Sequence, residues 1–221
     1  MVKTISAMMI FLVCICSGCR GEQEKNVVVE GKMPEKIKIV AVGDSLTAGY
    51  GLDESKSYPA LLEKKLKSDG FNVEVINAGV SAETSSGTRS RIDWILTMDP
   101  DIVILETGAN DGLRGIDPLV VEKNIREILE ILKRKEIVTI LSGMKMVWNL
   151  GPVYVRQFNG VYPKLEREFE VVFFPFFLED VAMKRELNLG DGLHPNENGY
   201  EIITENVYPY VLKAIEKWGE R

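Results

Sequence analysis

The residues with the most chemistry in this chain stand far apart. The one histidine, His194, lies in Asp191-Gly192-Leu193-His194-Pro195-Asn196, and Ser45 lies in Gly43-Asp44-Ser45-Leu46-Thr47-Ala48-Gly49. A serine hydroxyl is a poor nucleophile at neutral pH and needs a base within hydrogen-bond reach. His194 is the only imidazole that can serve. An acid three residues before it, Asp191, can fold back across a glycine-containing turn and fix the tautomer of the ring. Acyl transfer also needs donors where the oxyanion forms. A backbone amide at a glycine and a side-chain amide suit that task. Both occur, in Asn77-Ala78-Gly79-Val80-Ser81 and in Thr107-Gly108-Ala109-Asn110-Asp111-Gly112. Taken singly, Ser45 fits a helix cap, His194 fits a satisfied surface or core histidine, and Gly79 and Asn110 fit turns. Their joint occurrence points to nucleophilic catalysis.

Such residues act only if the chain brings them together. Residues 37–42, 73–76, 102–105, 137–141 and 171–174 are short, nearly continuous apolar runs, the habit of strands buried on both faces. Helical patterns lie between them. Tyr58, Leu61, Leu62 and Leu66 share a face that Gly70 closes. Asp117-Pro118 supplies a cap and a proline at the first helical position, ahead of a stripe of Val121, Ile125, Ile128 and Leu132. Residues 197–217 form a last helix, with a bend expected at Pro209. Five strands alternating with helices predict an α/β protein, a three-layer α/β/α sandwich on a five-stranded parallel sheet. Ligands sit beyond the carboxyl ends of such strands. The Ser45, Gly79 and Asn110 runs follow the first, second and third strands, with the strands of Gly79 and Asn110 expected to flank that of Ser45.

Composition removes other classes of function. The chain has 221 residues and a net charge of −6, which argues against a basic nucleic-acid footprint. The three cysteines all lie at positions 14, 16 and 19, so nothing after Cys19 can form a disulfide or do thiol chemistry. With one histidine and no cysteine in that part, a metal site would rest mostly on carboxylates, and none is expected. No metal or organic cofactor is required by the chemistry above.

The first 18 residues carry Lys3, then an apolar run over residues 7–16, then Ser17-Gly18-Cys19. That run falls short of the ~20 residues a membrane span needs. The layout is that of a signal peptide for export. Cys19 after Ser17-Gly18 also resembles a bacterial lipobox, which implies lipidation at Cys19 and a protein anchored to the cell envelope, periplasmic or at the surface. One departure is Cys16, where such motifs usually carry leucine. An ordinary cleaved signal with an incidental cysteine is the alternative. Residues 19–35 read as a solvated tether, and residues 36–221 as the folded domain.

Gly43-Asp44-Ser45-Leu46, Gly79, Gly108-Ala109-Asn110-Asp111 and Asp191-Gly192-Leu193-His194 resemble the four sequence blocks of the GDSL, or SGNH, hydrolase superfamily. Within it the chain is similar to the bacterial periplasmic thioesterase, lysophospholipase and arylesterase branch. The runs Val161-Tyr162-Pro163-Lys164-Leu165 and Phe173-Phe174-Pro175-Phe176-Phe177 share that resemblance. It implies a flavodoxin-like sheet and a serine hydrolase of acyl esters or thioesters such as lysophospholipid, acyl-CoA or aryl esters. It makes Ser45 the nucleophile, His194 the base and Asp191 its orienting acid. The oxyanion hole would comprise the Ser45 and Gly79 amides and the Asn110 side chain. Residues 144–152 depart from the branch and follow the fourth strand. Their apolar members, Met146 and Trp148 above all, are the acyl-pocket candidates. Two alternatives stay open: a carbohydrate O-acetylesterase of the same superfamily, and a surface lipoprotein that uses the fold only to bind.

Overall fold

A computed structural model describes residues 36–146 and 150–221. Five strands, β1 (Ile37–Gly43), β2 (Val73–Gly79), β3 (Ile102–Glu106), β4 (Val138–Ser142) and β5 (Val172–Phe174), form one parallel sheet in the order β2-β1-β3-β4-β5. Every residue of β3 and of β4 is buried, which is why their sequences are unbroken apolar runs. β2 lies at an edge and alternates between buried and half-buried positions. Its register on β1 runs from Ile37 opposite Val73 to Gly43 opposite Gly79.

Helices cover both faces. α2 (Tyr58–Ser68) packs on β2 and on α8 (Glu197–Gly219), which lies over β3, β4 and β5. α6 (Pro118–Arg134) packs on α3 (Ser85–Ser90), on α7 (Pro152–Glu168) and on β4. The α6 stripe of Val121, Ile125, Ile128 and Leu132 is wholly buried, and each such side chain contributes about 1.5–3 kcal/mol by leaving water. Its start follows the sequence: Asp117 Oδ1 accepts from the Leu119 amide at 2.9 Å, with Pro118 in the first turn. On α2, Tyr58, Leu62 and Leu66 are fully buried.

The strand order reverses between β1 and β3. The chain leaves β1 for β2 on one side and reaches β3 on the other, so the carboxyl ends of β1 and β3 open a crevice between diverging connections. α1 (Ser45–Ala48), the 85–96 segment and α5 (Ala109–Leu113) all start there.

The structure adds to the sequence pattern in three places. α8 stays helical on both sides of Pro209, as α7 does around Pro163. Tertiary packing of Val207 and Val211, both fully buried, outweighs the one lost backbone bond. The segment between β2 and β3 holds two short helices, α3 and α4 (Ile92–Leu96), whose polar first half has no helical stripe to betray it. Phe174 and Phe177 lie in the core.

Candidate active site

The turn that carries Ser45 is set by its neighbours. Asp44 caps α1, its Oδ1 accepting from the Leu46 amide at 2.9 Å, and Gly49 ends it at a left-handed φ of 79°. Gly79 is a glycine for close approach: a Cβ there would lie 2.3 Å from the Ala48 amide nitrogen. Ser45 is left 8% exposed at the end of β1.

The loop before α8 brings the histidine to it. His194 Nε2 lies 2.9 Å from Ser45 Oγ, and Nδ1 donates to Asp191 Oδ2 at 2.7 Å. With Nδ1 donating, Nε2 is the nitrogen left to accept the serine proton. The other oxygen, Asp191 Oδ1, accepts from the Leu193 amide at 2.9 Å and the His194 amide at 3.0 Å. The left-handed Gly192 (φ 71°) lets the chain turn back on Asp191. The Leu193 amide, then the His194 ring and amide, hold the Asp191 carboxyl down to about 2. Leu189 donates its amide to the His194 carbonyl at 2.7 Å, and Asn196 caps α8 by accepting from Gly199. Tyr50, which the sequence alone does not mark as part of this site, lays its ring 4.5 Å from the imidazole centroid. An exposed aromatic leaves no periodic signal.

The oxyanion candidates are more divided. Asn110 sits beside the turn that carries Ser45, but Nδ2 donates to Asp44 Oδ2 and to the Glu83 carbonyl, each at 3.0 Å. The Gly79 amide donates to Asn77 Oδ1 at 3.0 Å within β2. Three residues on, Ala82 is exposed at a left-handed φ of 66°, its carbonyl accepting from Arg114 at 2.8 Å. Among the described residues no acceptor faces its amide. The next residue, Glu83, is the one whose carbonyl meets Asn110.

That loop is bolted down by groups the sequence alone does not single out. Arg91 Nε donates to Glu83 Oε1 at 2.7 Å, and Nη2 donates to Glu83 Oε2 and the Ala78 carbonyl, both at 2.8 Å, and to the Gly43 carbonyl at 3.3 Å. The Arg91 and Glu83 side chains are only 15% and 7% exposed. Asp111 ties the same loop to the end of β3, accepting from the Ser85 amide and hydroxyl at 2.7 Å each. Burial lifts the Asp44 carboxyl to about 6, against the hydrogen bonds from Leu46 and Asn110 that lower it.

Of the remaining candidates, Met146 is half-buried and packs on α5, where a Cβ on Gly112 would lie 2.3 Å from its sulfur. Its amide donates to Asn159 at 2.8 Å. Leu113, next to Gly112, and Leu150, four residues past Met146, are exposed. Trp148 and Cys19 lie outside the described residues, as do the signal and the tether.

Residues 41–202 match the model of the GDSL-like lipase/acylhydrolase family. An arylesterase of Vibrio mimicus is 37% identical over 179 residues, covering 80% of this chain and 90% of that one. The thioesterase 1/protease 1/lysophospholipase L1 of Escherichia coli (strain K12) is 37% identical over 168 residues, 76% of this chain and 79% of its own. Among solved structures, a psychrotrophic esterase EstA from Pseudoalteromonas sp., inhibited by monoethylphosphonate, superimposes with a TM-score of 0.75 at 31% identity, covering 83% of this chain and 99% of its own.

The Asp191 carboxyl gives a first test. Its folded value near 2 lies below the roughly 3.9 of an unfolded chain. Its stabilisation is therefore complete above about pH 4 and lost as pH falls through 2. Thermal melts of the wild type and Asp191→Asn should differ at pH 6 and converge toward pH 2. A difference constant across that range would contradict the linkage.

Proposed function

The chain belongs to the GDSL-like lipase/acylhydrolase family and is a serine hydrolase of carboxylic ester and thioester bonds, and we propose that Ser45, His194 and Asp191 carry its chemistry. The observation that carries this assignment is the unbroken relay of 2.9 Å and 2.7 Å from Ser45 Oγ through the imidazole to Asp191. Ser45 Oγ attacks the acyl carbon while Nε2 takes its proton. Asp191 holds the ring in register and stabilises the imidazolium that forms. Collapse of the tetrahedral intermediate expels the alcohol or thiol, which takes the proton back from Nε2. Water then repeats the sequence on the acyl-enzyme and releases the acid. A fluorophosphonate should label the wild type and leave Ser45→Ala unmarked.

The proposed oxyanion hole comprises the Ser45 amide, the Asn110 side chain and the Ala82 amide. Ala82 takes the place that the sequence alone suggested for Gly79, because the Gly79 hydrogen is already spent on Asn77 while that of Ala82 has no acceptor among the described residues. Asn110 must hand one hydrogen from Asp44 or Glu83 to the substrate oxygen. Removing one such donor costs roughly 10²–10³ in kcat. Asn110→Ala should lose that much with little change in KM. Replacing Ala82 by lactic acid, which swaps its N–H for an ester oxygen, should cost a similar factor. Glycolic acid at Gly79 should cost far less. The reverse order of the two ester substitutions would return the donor to Gly79.

The substrate is proposed to be a fatty acyl ester or thioester, of the kinds named in the relatives: aryl ester, lysophospholipid or thioester. The acyl chain would run over Met146 and Trp148, since Met146 packs directly on the helix that carries Asn110. A series of p-nitrophenyl esters should favour chains beyond acetate, and Trp148→Ala should shift that preference more than it changes the rate on acetate. Preference for acetate would favour a carbohydrate O-acetylesterase instead.

Export and lipidation at Cys19 are proposed from the sequence of residues 1–19. An anchor of more than one acyl chain would hold the enzyme at a membrane. Metabolic labelling with a palmitate analogue should mark the wild type and miss Cys19→Ala, and a wild type that stays unlabelled would overturn the anchor.

A further inference from the structure

Glu106 ends β3 with its side chain wholly out of water. Oε2 accepts from the Asp44 amide at 3.3 Å and from Thr47 Oγ1 at 3.0 Å, so its two donors bracket Ser45 in the chain. Oε1 has no partner. Gly43 leaves the room this carboxyl needs, since a Cβ there would lie 2.5 Å from Oε2. The groups facing it are Asp44 and Thr47 from the nucleophile turn, Tyr58 from α2, Glu83 from the loop after β2, Tyr162 from α7 and Tyr200 from α8. None of these is a cation, and Arg91 is already taken by Glu83.

Asp44 uses both of its oxygens as acceptors, one from the Leu46 amide and one from Asn110. It is therefore the member of the pair fitted to be ionised. A second negative charge on Glu106 would stand beside it, buried and unpaired. Burial and Asp44 push the Glu106 carboxyl well up, outweighing the two hydrogen bonds that would draw it down. Ionisation thus works against the folded turn, and the sign is fixed: the arrangement holds at low and neutral pH and is weakened as pH rises.

We propose that Glu106 is a positioning residue for the hydrolysis: as an uncharged acid it hangs the segment from Asp44 to Thr47 on the end of β3 and so sets the aim of Ser45 Oγ. It never touches substrate. Its proton state reaches the reaction through the turn alone, because a reacting atom displaced by about 1 Å can lose roughly 10²-fold in rate.

The test measures kcat and KM from pH 6 to about pH 10 for the wild type, Glu106→Gln and Glu106→Leu. Gln keeps an oxygen for the Asp44 amide and Thr47 but cannot ionise, and it should hold kcat within about threefold of wild type at pH 7. Wild-type kcat should fall on the alkaline side with KM steady, and Glu106→Gln should lack that fall. Leu removes the acceptor and should lose roughly 10²-fold in kcat with KM little changed. Should the Leu variant fail to fold, the Gln profile decides. A Gln variant impaired tenfold or more at pH 7, an alkaline fall that it shares, or a wild type with no such fall would each overturn the proposal. The inference rests on Ser45 as nucleophile; failure of that assignment would appear separately, as hydrolysis that Ser45→Ala does not abolish.

Discussion

A 2.9 Å contact between Ser45 Oγ and His194 Nε2 joins residues 149 positions apart, and the fold is arranged around keeping it. Closing a loop of that length costs roughly 4 kcal/mol in chain entropy, whereas one hydrogen bond returns about 1 kcal/mol net. The contact cannot hold itself. It is held because α8 is fastened over the sheet and its first turn reaches α1, the helix that Ser45 begins. Buried Tyr200, six residues past His194, donates to the Leu46 carbonyl at 2.9 Å. The Asn196 cap and the Leu189–His194 backbone bond stiffen the short span between. The imidazole is thus placed from behind by α8 and aimed from the side by Asp191.

The same crevice gathers acids in unusual number. Asp44, Glu83, Glu106 and Asp111 all lie at the carboxyl ends of β1, β2 and β3, with Arg91 as the cation bonded among them. Three are satisfied, each differently: Glu83 by Arg91, Asp111 by the Ser85 amide and hydroxyl, Asp44 by the Leu46 amide and Asn110, while Glu106 keeps one oxygen without a partner. Breaking such a buried pair from one side leaves an uncompensated charge, a loss of roughly 3–5 kcal/mol. Arg91 also clamps the Gly43 and Ala78 carbonyls, so one side chain ties the ends of β1 and β2 to the loop that carries Ala82. Electrostatics here serve to fix backbone, and the backbone fixes the reacting atoms.

Much of this was legible in the sequence, for identifiable reasons. Strands buried on both faces announce themselves as apolar runs, and α6 announces itself by Asp117, Pro118 and its stripe. Ser45, Asp191 and His194 stood out because a lone histidine with an acid three residues ahead has few other uses. Tyr50, Arg91 and Glu106 did not, since each depends on a partner far along the chain that no local pattern encodes: Arg91 bonds Gly43 across 48 positions, Glu106 bonds Asp44 across 62, and Tyr50 meets His194. Gly79 drew attention as a glycine after a strand. Its lack of a side chain answers a packing demand from Ala48, and its amide is turned to Asn77.

Ala82 shows what the loop must withstand. A left-handed backbone costs an alanine roughly 1–2 kcal/mol that a glycine would avoid, and nothing in its own side chain offsets this. The conformation persists because its surroundings determine it: Arg114 holds its carbonyl, Arg91 holds the side chain of the next residue, and Asn110 holds that residue's carbonyl. A backbone kept in a costly shape by three separate side chains is a backbone whose amide direction is fixed. In the proposed reaction that direction is the one that matters, since a donor aimed in advance at the developing oxyanion needs no reorganisation when charge appears. Asn110 is the complement to it. Its two hydrogens rest on Asp44 and Glu83, so in the proposed reaction this donor too would be held in place by bonds it exchanges for the substrate oxygen.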